Sequence, residues 1–305
     1  MDIKRFAAID IGSNSVRLLI ENVLFTADGP MFKKSALVRV PVRLGATAFT
    51  DKKIPEVTVQ HLEDTMMAFK YLMKANDVVH YRGCATSAMR EASNGPAIVK
   101  RIKEKTGVNI DIITGNSEAN LIFNSQSAML NKISANNIFI DVGGGSTELT
   151  FFNTGKLVFK ESFNIGTIRL LKGHVKEQQW DELKDFIKLG VKGKSDIIAI
   201  GSGGNINKVF SLSKRKEGKP LPLELLRDYF KEFSSVSLED RMKLYKLRED
   251  RADVILPALQ IYINVMRWAG IEEIYVPKIG LADGLVHMLY DEVMSKKFNT
   301  STLVL

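Results

Sequence analysis

Three glycine-rich loops carry the residue types that chemistry on phosphate would need. The first is Gly12-Ser13-Asn14-Ser15, at the end of an apolar run. Glycine lets the backbone turn tightly and come close to an anion. Hydroxyls, the Asn14 amide and backbone N–H groups can all donate to phosphate oxygens. The alternative is a plain β-hairpin turn. The second loop is Gly143-Gly144-Gly145-Ser146-Thr147. Three successive glycines cost chain entropy on folding, and a ligand that must approach the backbone would offset that cost. Its flanking carboxylates, Asp141 and Glu148, suit a hard cation with oxygen ligands such as Mg²⁺. Such an ion would offset phosphate charge and polarise the P–O bond. The alternative is a flexible hairpin. The third loop, Gly201-Ser202-Gly203-Gly204-Asn205, lies between a strand and a helix starting near Asn205. That order aims helix N–H groups at a ligand, although it also describes an ordinary capped helix start.

Two charged side chains are further candidates. Glu118 follows Thr114-Gly115-Asn116-Ser117 at a helix start, where the helix dipole alone would favour an acid. Arg90, in Ala85-Thr86-Ser87-Ala88-Met89-Arg90-Glu91, can clamp phosphate bidentately or pair with a surface Glu. Other features carry no such chemistry. Gly193-Lys194-Ser195 resembles the end of a P-loop, but Lys188 stands where its first glycine should be and a strand follows. The histidines at 61, 80, 174 and 287 have no metal-like spacing.

The elements that must position these residues alternate strand and helix. Strands are expected over 5–11, 16–24, 36–44, 78–85 and 109–113, the third from the alternation in VRVPVRL. Pro55 opens a helix to about Ala75 whose Val59, Leu62, Met66, Phe69 and Leu72 share one face. Further helices are expected over 96–105 and 117–130. The strand pattern then returns at 138–142, with a hairpin of 148–152 and 157–163 around Asn153-Thr154-Gly155. A strand over 196–200, several helices, a strand over 273–276 and a last helix from about Leu281 follow. This is an α/β chain. Ile-Asp-Ile-Gly-Ser at 9–13 and Ile-Asp-Val-Gly-Gly at 140–144 form an internal repeat, which suggests two similar domains facing one another.

Length and composition agree. The 305 residues, 45% hydrophobic and 26% charged, suffice for two cores. Cys84 is the only cysteine, which excludes an intramolecular disulfide and suits a reducing compartment. No signal peptide is expected at the N-terminus. No apolar run approaches the ~20 residues of a membrane span, so the protein is read as soluble and cytoplasmic. A net charge of +8 fits a polyanionic partner, nucleic acid or polyphosphate, or an incidental basic surface. Lys208, Lys214, Arg215, Lys216 and Lys219 form a basic run after the third loop, able to steer a polyanion or simply to be solvated.

Together these motifs resemble the exopolyphosphatase and guanosine pentaphosphate phosphatase family. The matching segments are IDIGSNSVRLL at 9–19, ATSAMREASN at 85–94, GNSEANLIF at 115–123 and IDVGGGSTEL at 140–149. NIGTIRL at 164–170, IGSGGNINKV at 200–209, RADVILPAL at 251–259 and GLADGL at 280–285 also match. The resemblance spans about residue 3 to 290. It implies two actin-like (ribonuclease H-like) domains, 1–123 and 124–305, with an active-site cleft between them and a last helix able to pack back on the first. It implies release of terminal orthophosphate from polyphosphate or guanosine pentaphosphate by metal-assisted attack of water. Glu118 falls on the family's catalytic base and Arg90 on its phosphate-binding arginine. Gly12, Ser13, Asn14 and Ser15, then Gly143, Gly144, Gly145 and Ser146, fall on its phosphate loops, joined by Gly203 and Gly204. Asp10, Asp141 and Glu148 are the implied ligands of Mg²⁺ or Mn²⁺. No nucleic acid or membrane partner is expected, and a homodimer is left open.

Three departures stand out. The family often has two acids where this chain has Ser117-Glu118, and often an Arg within the segment that here reads Gly280-Leu281-Ala282-Asp283-Gly284. Longer members carry extra C-terminal domains that help hold long polyphosphate, which leaves processivity open here. The rival readings are an ATP-dependent kinase of the same superfold and a non-catalytic polyphosphate or alarmone sensor.

Overall fold

In a computed structural model, residues 3–26, 29–121, 136–277 and 279–301 are described, with side chains to residue 295. The chain divides into two compact units, Met1–Thr114 with Leu281–Leu305, and Gly115–Gly280. The expected boundary near residue 123 lies outside the described residues.

Unit 1 is a five-stranded sheet of order β3-β2-β1-β4-β5. Its strands are β1 (Ile3–Ile11), β2 (Val16–Thr26), β3 (Gly29–Val40), β4 (Val78–Ala85) and β5 (Asp111–Ile112). β1 pairs antiparallel with β2 and parallel with β4. As a central strand it is buried on both faces from Phe6 to Ile11, which is why it reads as a continuous apolar run. The helices are α1 (Gly45–Ala48), α2 (Glu56–Ala75), α3 (Ser87–Glu91) and α4 (Gly95–Thr106). Pro55 stands just before α2, where its missing N–H costs nothing, and Val59, Leu62, Met66 and Phe69 form the buried stripe.

The strand expected over 36–44 runs instead over 29–40. Its partner β2 begins at Val16, opposite Val40, so nothing remains to pair with beyond that point. Pro41 lacks an N–H for a ladder, and Arg43 turns to a φ of 55°. The alternation in VRVPVRL thus outlasts its strand.

Unit 2 repeats the arrangement. Its sheet has the order β10-β11-β9-β6-β7-β8, built from β6 (Asn136–Val142), β7 (Thr147–Asn153), β8 (Lys156–Phe163), β9 (Ile197–Ser202), β10 (Leu221–Pro222) and β11 (Glu273–Tyr275). β6 is antiparallel to β7 and parallel to β9, as β1 is to β2 and β4. Two α/β units of this pattern constitute the expected actin-like fold class. Residues 115–121 are helical (α5), followed by α6 (Thr167–Leu171), α7 (Glu177–Gly190), α8 (Gly204–Leu212), α9 (Leu223–Ser234), α10 (Leu238–Tyr245), α11 (Glu249–Ala252) and α12 (Ile255–Ala269). The core of unit 2 joins Ile138, Ile140, Leu149 and Phe151 of the sheet to Ala258, Leu259, Tyr262 and Val265 of α12. No described helix is long and apolar enough to cross a membrane.

The last helix, α13 (Leu281–Ser301), belongs to unit 1 and packs on β1, β2 and β4. Tyr290 meets Phe6 edge-on at 5.9 Å, and Phe32 lies 4.1 Å from the His287 ring. Asp283 pairs with Lys34 at 2.5 Å, while Arg82 and Glu292 form a two-pronged ion pair at 3.0 Å. Glu21, on β2, is 2% exposed, and its Oε2 has no hydrogen-bond partner among the described residues. Burial and then the negative Asp283 push its carboxyl up to about 7, with Lys34 opposing. A carboxyl raised in the folded state stabilises fully below its unfolded value near 4.5 and loses that contribution as pH rises through 7. The loss is on the order of 3 kcal/mol. Urea midpoints measured between pH 5 and 8 should therefore fall with pH in the parent and stay nearly flat in Glu21→Gln. Parallel pH profiles for the two proteins would remove Glu21 as the source.

Candidate functional site

The two hairpins that carry the repeat are built alike. β1 and β2 are joined by residues 12–15, with Ile11 opposite Val16; β6 and β7 are joined by residues 143–146, with Val142 opposite Thr147. Each loop is closed by its first glycine: Gly12 N donates to Ser15 O at 3.1 Å, and Gly143 N to Ser146 O at 2.9 Å. A Cβ at either glycine would stand 3.2 Å from that carbonyl, tighter than ordinary contact, so a side chain would strain the turn.

The register then places the charges. In unit 1 Asp10 faces Arg17 across the strand pair, and Arg17 Nη1 reaches Asp10 Oδ2 at 3.3 Å. Asp10 is nearly buried; desolvation raises its carboxyl and Arg17 only partly counters it. In unit 2 Asp141 faces Glu148, so two acids stand where unit 1 has an ion pair. Glu118, from α5, joins them. One carboxylate oxygen of each of Glu118, Asp141 and Glu148 lies within 4.8 Å of the others. Glu118 is 8% and Glu148 2% exposed.

Three oxygen ligands at that spacing, drawn from buried or half-buried carboxylates, fit a hard divalent cation, because the like charges require one of opposite sign or a shared proton. Neighbours hold them in place. Ser162 Oγ donates to Glu148 Oε1 at 2.8 Å, and Ser202 Oγ donates to Asp141 Oδ1. Tyr262, fully buried, donates its hydroxyl to the Ser202 carbonyl. Burial, with the nearby Asp141 charge, keeps its phenol well above the ordinary value, so it serves as a donor throughout the neutral range.

The third loop meets the second inside unit 2. Gly203 stands just before α8 with φ of 119°, a conformation that favours glycine. A Cβ there would lie 3.0 Å from Val142 O and 3.6 Å from Asp141 Oδ1. The strand–loop–helix unit therefore sets the start of α8 beside Asp141.

The triple-glycine loop is tied from behind. Thr167 N donates to Gly143 O at 3.0 Å, Ile168 N to Gly144 O at 2.8 Å and Arg169 Nε to Gly145 O at 2.6 Å. Thr147 Oγ1 donates to Ile165 O at 2.5 Å. Three successive glycine carbonyls thus face the 165–169 turn, as an anion site requires of a loop whose N–H groups are to act. Unit 1 has the counterpart: Gly45 N donates to Ser13 O at 2.8 Å and Arg43 N to Asn14 O at 3.1 Å. Ser13 Oγ also bonds Ser87 Oγ at 2.9 Å, at the start of α3.

Arg90 lies on α3 and donates to the Ile113 carbonyl at 2.6 Å, which anchors one of its five N–H donors within unit 1. The basic run begins on α8 and continues as an exposed loop over 214–219, where Arg215 donates to Pro220 O at 2.9 Å.

The profile of the Ppx/GppA phosphatase family matches residues 31–293. The chain belongs to this family. A bifunctional 3-dehydroquinate synthase/phosphatase of Fusobacterium nucleatum is 25% identical over 326 residues, covering 95% of this chain and 47% of that protein. A guanosine-5'-triphosphate,3'-diphosphate pyrophosphatase of Aeromonas hydrophila is 22% identical, covering 93% and 59% respectively. Exopolyphosphatase 1 of Mycobacterium leprae is 24% identical, covering 92% and 88%. The chain thus spans about half the length of the first two relatives. The crystal structure of an exopolyphosphatase from Cytophaga hutchinsonii shares the fold, with a TM-score of 0.79 over 95% of this chain and 98% of that one at 23% identity.

In this Ppx/GppA chain the structure brings Glu118, Asp141 and Glu148 together beside the second loop, with Gly203 next to Asp141 and Gly204 opening α8. Asp10, Gly12–Ser15 and Arg90 are in unit 1. Ser162 and Tyr262 have no sequence signal, and Ser202 and Arg169 stand in it only as members of the third loop and of NIGTIRL, since each acts through a tertiary contact. Gly166 was readable only as part of NIGTIRL. A Cβ on it would meet Gly145 C at 2.4 Å and Gly144 O and Ser146 N at 2.5 Å, all backbone. Gly166→Ala must push the loop out of shape, at a cost of roughly 1–3 kcal/mol. Orthophosphate binding or phosphatase kcat/KM is expected to fall at least about 10-fold while circular dichroism stays native. An unchanged kcat/KM would mean that the 165–169 turn does not shape this loop for function.

Proposed function

We propose that this chain is a phosphohydrolase that releases terminal orthophosphate from inorganic polyphosphate, guanosine pentaphosphate or both. The observation that carries the proposal is the cluster of Glu118, Asp141 and Glu148 at the base of the Gly143–Ser146 loop. Family membership and relatives named exopolyphosphatase and guanosine pyrophosphatase support the same substrate class.

In this reading the N–H groups of Gly143 to Ser146, with Ser146 Oγ and the turn at Gly203–Gly204, hold the oxygens of the terminal phosphate. Within unit 1, Gly12, Ser13, Asn14, Ser15 and Arg90 are the proposed phosphate donors, with Asp10 beside them. Phosphoryl transfer depends mostly on positioning and on neutralising charge. Mg²⁺ or Mn²⁺ held by Asp141 and Glu148 would supply the positive charge that the phosphate oxygens and the acids share. Glu118 accepts the proton as water oxygen bonds to phosphorus, and the bond to the bridging oxygen breaks to leave the shortened chain. Ser162 and Ser202 fix the orientation of Glu148 and Asp141, so the charges stand ready before substrate arrives.

Phosphate release from tripolyphosphate, guanosine pentaphosphate and ATP, each with and without Mg²⁺, tests the proposal directly. Release from either of the first two supports it. Metal-dependent transfer from ATP to a sugar, with neither of them hydrolysed, would favour a kinase instead. Glu118→Gln should keep the fold and substrate affinity while turnover falls roughly 10²–10⁴-fold. Unchanged turnover with an intact melting temperature would remove Glu118 from the mechanism.

Excess chelator should abolish turnover, and Glu148→Ala should raise the Mg²⁺ concentration for half-maximal rate. Full activity in chelator would exclude the metal assignment.

A further inference from the structure

Strand β8 presents Lys160 and Ser162 on one face, two residues apart. Both touch the region that carries the acids. Ser162 faces Glu148 across the β7–β8 pair and donates to it at 2.8 Å. Its Oγ and Cβ lie 2.7 and 2.9 Å from where a Cβ on Gly115 would stand, so the start of α5 is packed directly on this strand. Lys160 Nζ donates to the backbone carbonyl of Asn116 and to the side-chain oxygen of Asn120. These two residues bracket Glu118 in α5.

A helix as short as the described part of α5 does not hold itself in water, so its place is set by what it is tied to. Glu118 sits on it, while Asp141 and Glu148 sit on the β6–β7 hairpin. The distance between the base and the other two acids therefore depends on how α5 is fastened to the sheet. Lys160 suits that task. Its ammonium has three donors on a flexible stem, and charge-assisted bonds to amide oxygens are stronger than neutral ones.

We infer that Lys160 is a positioning residue that fastens α5 to β8 and so sets Glu118 against Asp141 and Glu148. The inference rests on the reading of Glu118 as the base. Lys160 acts on the rate without touching the phosphate.

The test is a double-mutant cycle on the full chain, with tripolyphosphate and Mg²⁺. Lys160→Met keeps the stem and loses the donors. It should lower kcat roughly 10–100-fold with KM near the parent value. Lys160→Arg should recover most of the rate. On a Glu118→Gln background, Lys160→Met should add almost nothing, because two residues acting through one step are not additive. Amides of residues 115–121 should also exchange faster in Lys160→Met. If that variant melts far below the parent, Asn120→Leu, which removes a single acceptor, takes its place in the same cycle. Equal rate losses on both backgrounds, or no loss in the parent, overturn the inference while leaving the base in place. Full turnover in Glu118→Gln overturns the base and the inference with it, so the two failures are distinguishable.

Discussion

The arrangement in unit 2 turns on a repulsion. An antiparallel register sets Asp141 opposite Glu148, and α5 adds Glu118 within 4.8 Å. Like charges at that spacing oppose one another by about 3 kcal/mol per pair at an effective dielectric near 20. Facing like charges are ordinarily selected against in a strand pair. Unit 1 shows the relaxed solution at the same position, where Arg17 stands opposite Asp10. The shared hairpin thus has one self-neutralised copy and one that calls for charge from outside. The hydroxyls of Ser162 and Ser202 ease the crowding without removing it, because a neutral donor orients a carboxylate but leaves its charge intact.

The loop geometry follows from the same need. In the proposed function a phosphate brought to three acids is itself an anion, so the backbone nearest to it would present N–H groups and turn its carbonyls elsewhere. The 165–169 turn takes up the carbonyls of Gly143, Gly144 and Gly145, and Gly166 lets it come close enough to do so. The counterpart contacts in unit 1, from Arg43 and Gly45 to Asn14 and Ser13, use backbone donors alone. In unit 2 the guanidinium of Arg169 joins the backbone donors, beside the three clustered acids.

Much of this was legible in the amino-acid order. Asp141 and Glu148 were readable as the carboxylates that flank the second glycine loop, while their standing opposite one another comes from the antiparallel register. The central strands announced themselves as apolar runs because both faces are covered. Other features were hidden for physical reasons. β3 was misplaced because alternation in VRVPVRL continues past the end of the partner strand and past Pro41. Ser202 reaches Asp141, and Tyr262 reaches the Ser202 carbonyl, from elements far along the chain, and no local spacing signals that. Glu118 could be placed at a helix start, but its distance to the hairpin acids depends on packing against β8.

Unit 1 is not contiguous in the chain. Its first 114 residues are made before unit 2, and the helix that covers β1, β2 and β4 is made after it. During synthesis the emerging N-terminal sheet must wait for α13 with Phe6 and Phe32 uncovered, while the intervening unit has all its own strands at hand. A ribosome moving at roughly 5–20 residues per second spends on the order of ten seconds or more on that interval. Nascent chains are therefore most exposed to aggregation and to holdase chaperones in this window, and an amino-terminal fragment would retain that liability permanently. Supplying α13 as a separate peptide is the natural way to complement it.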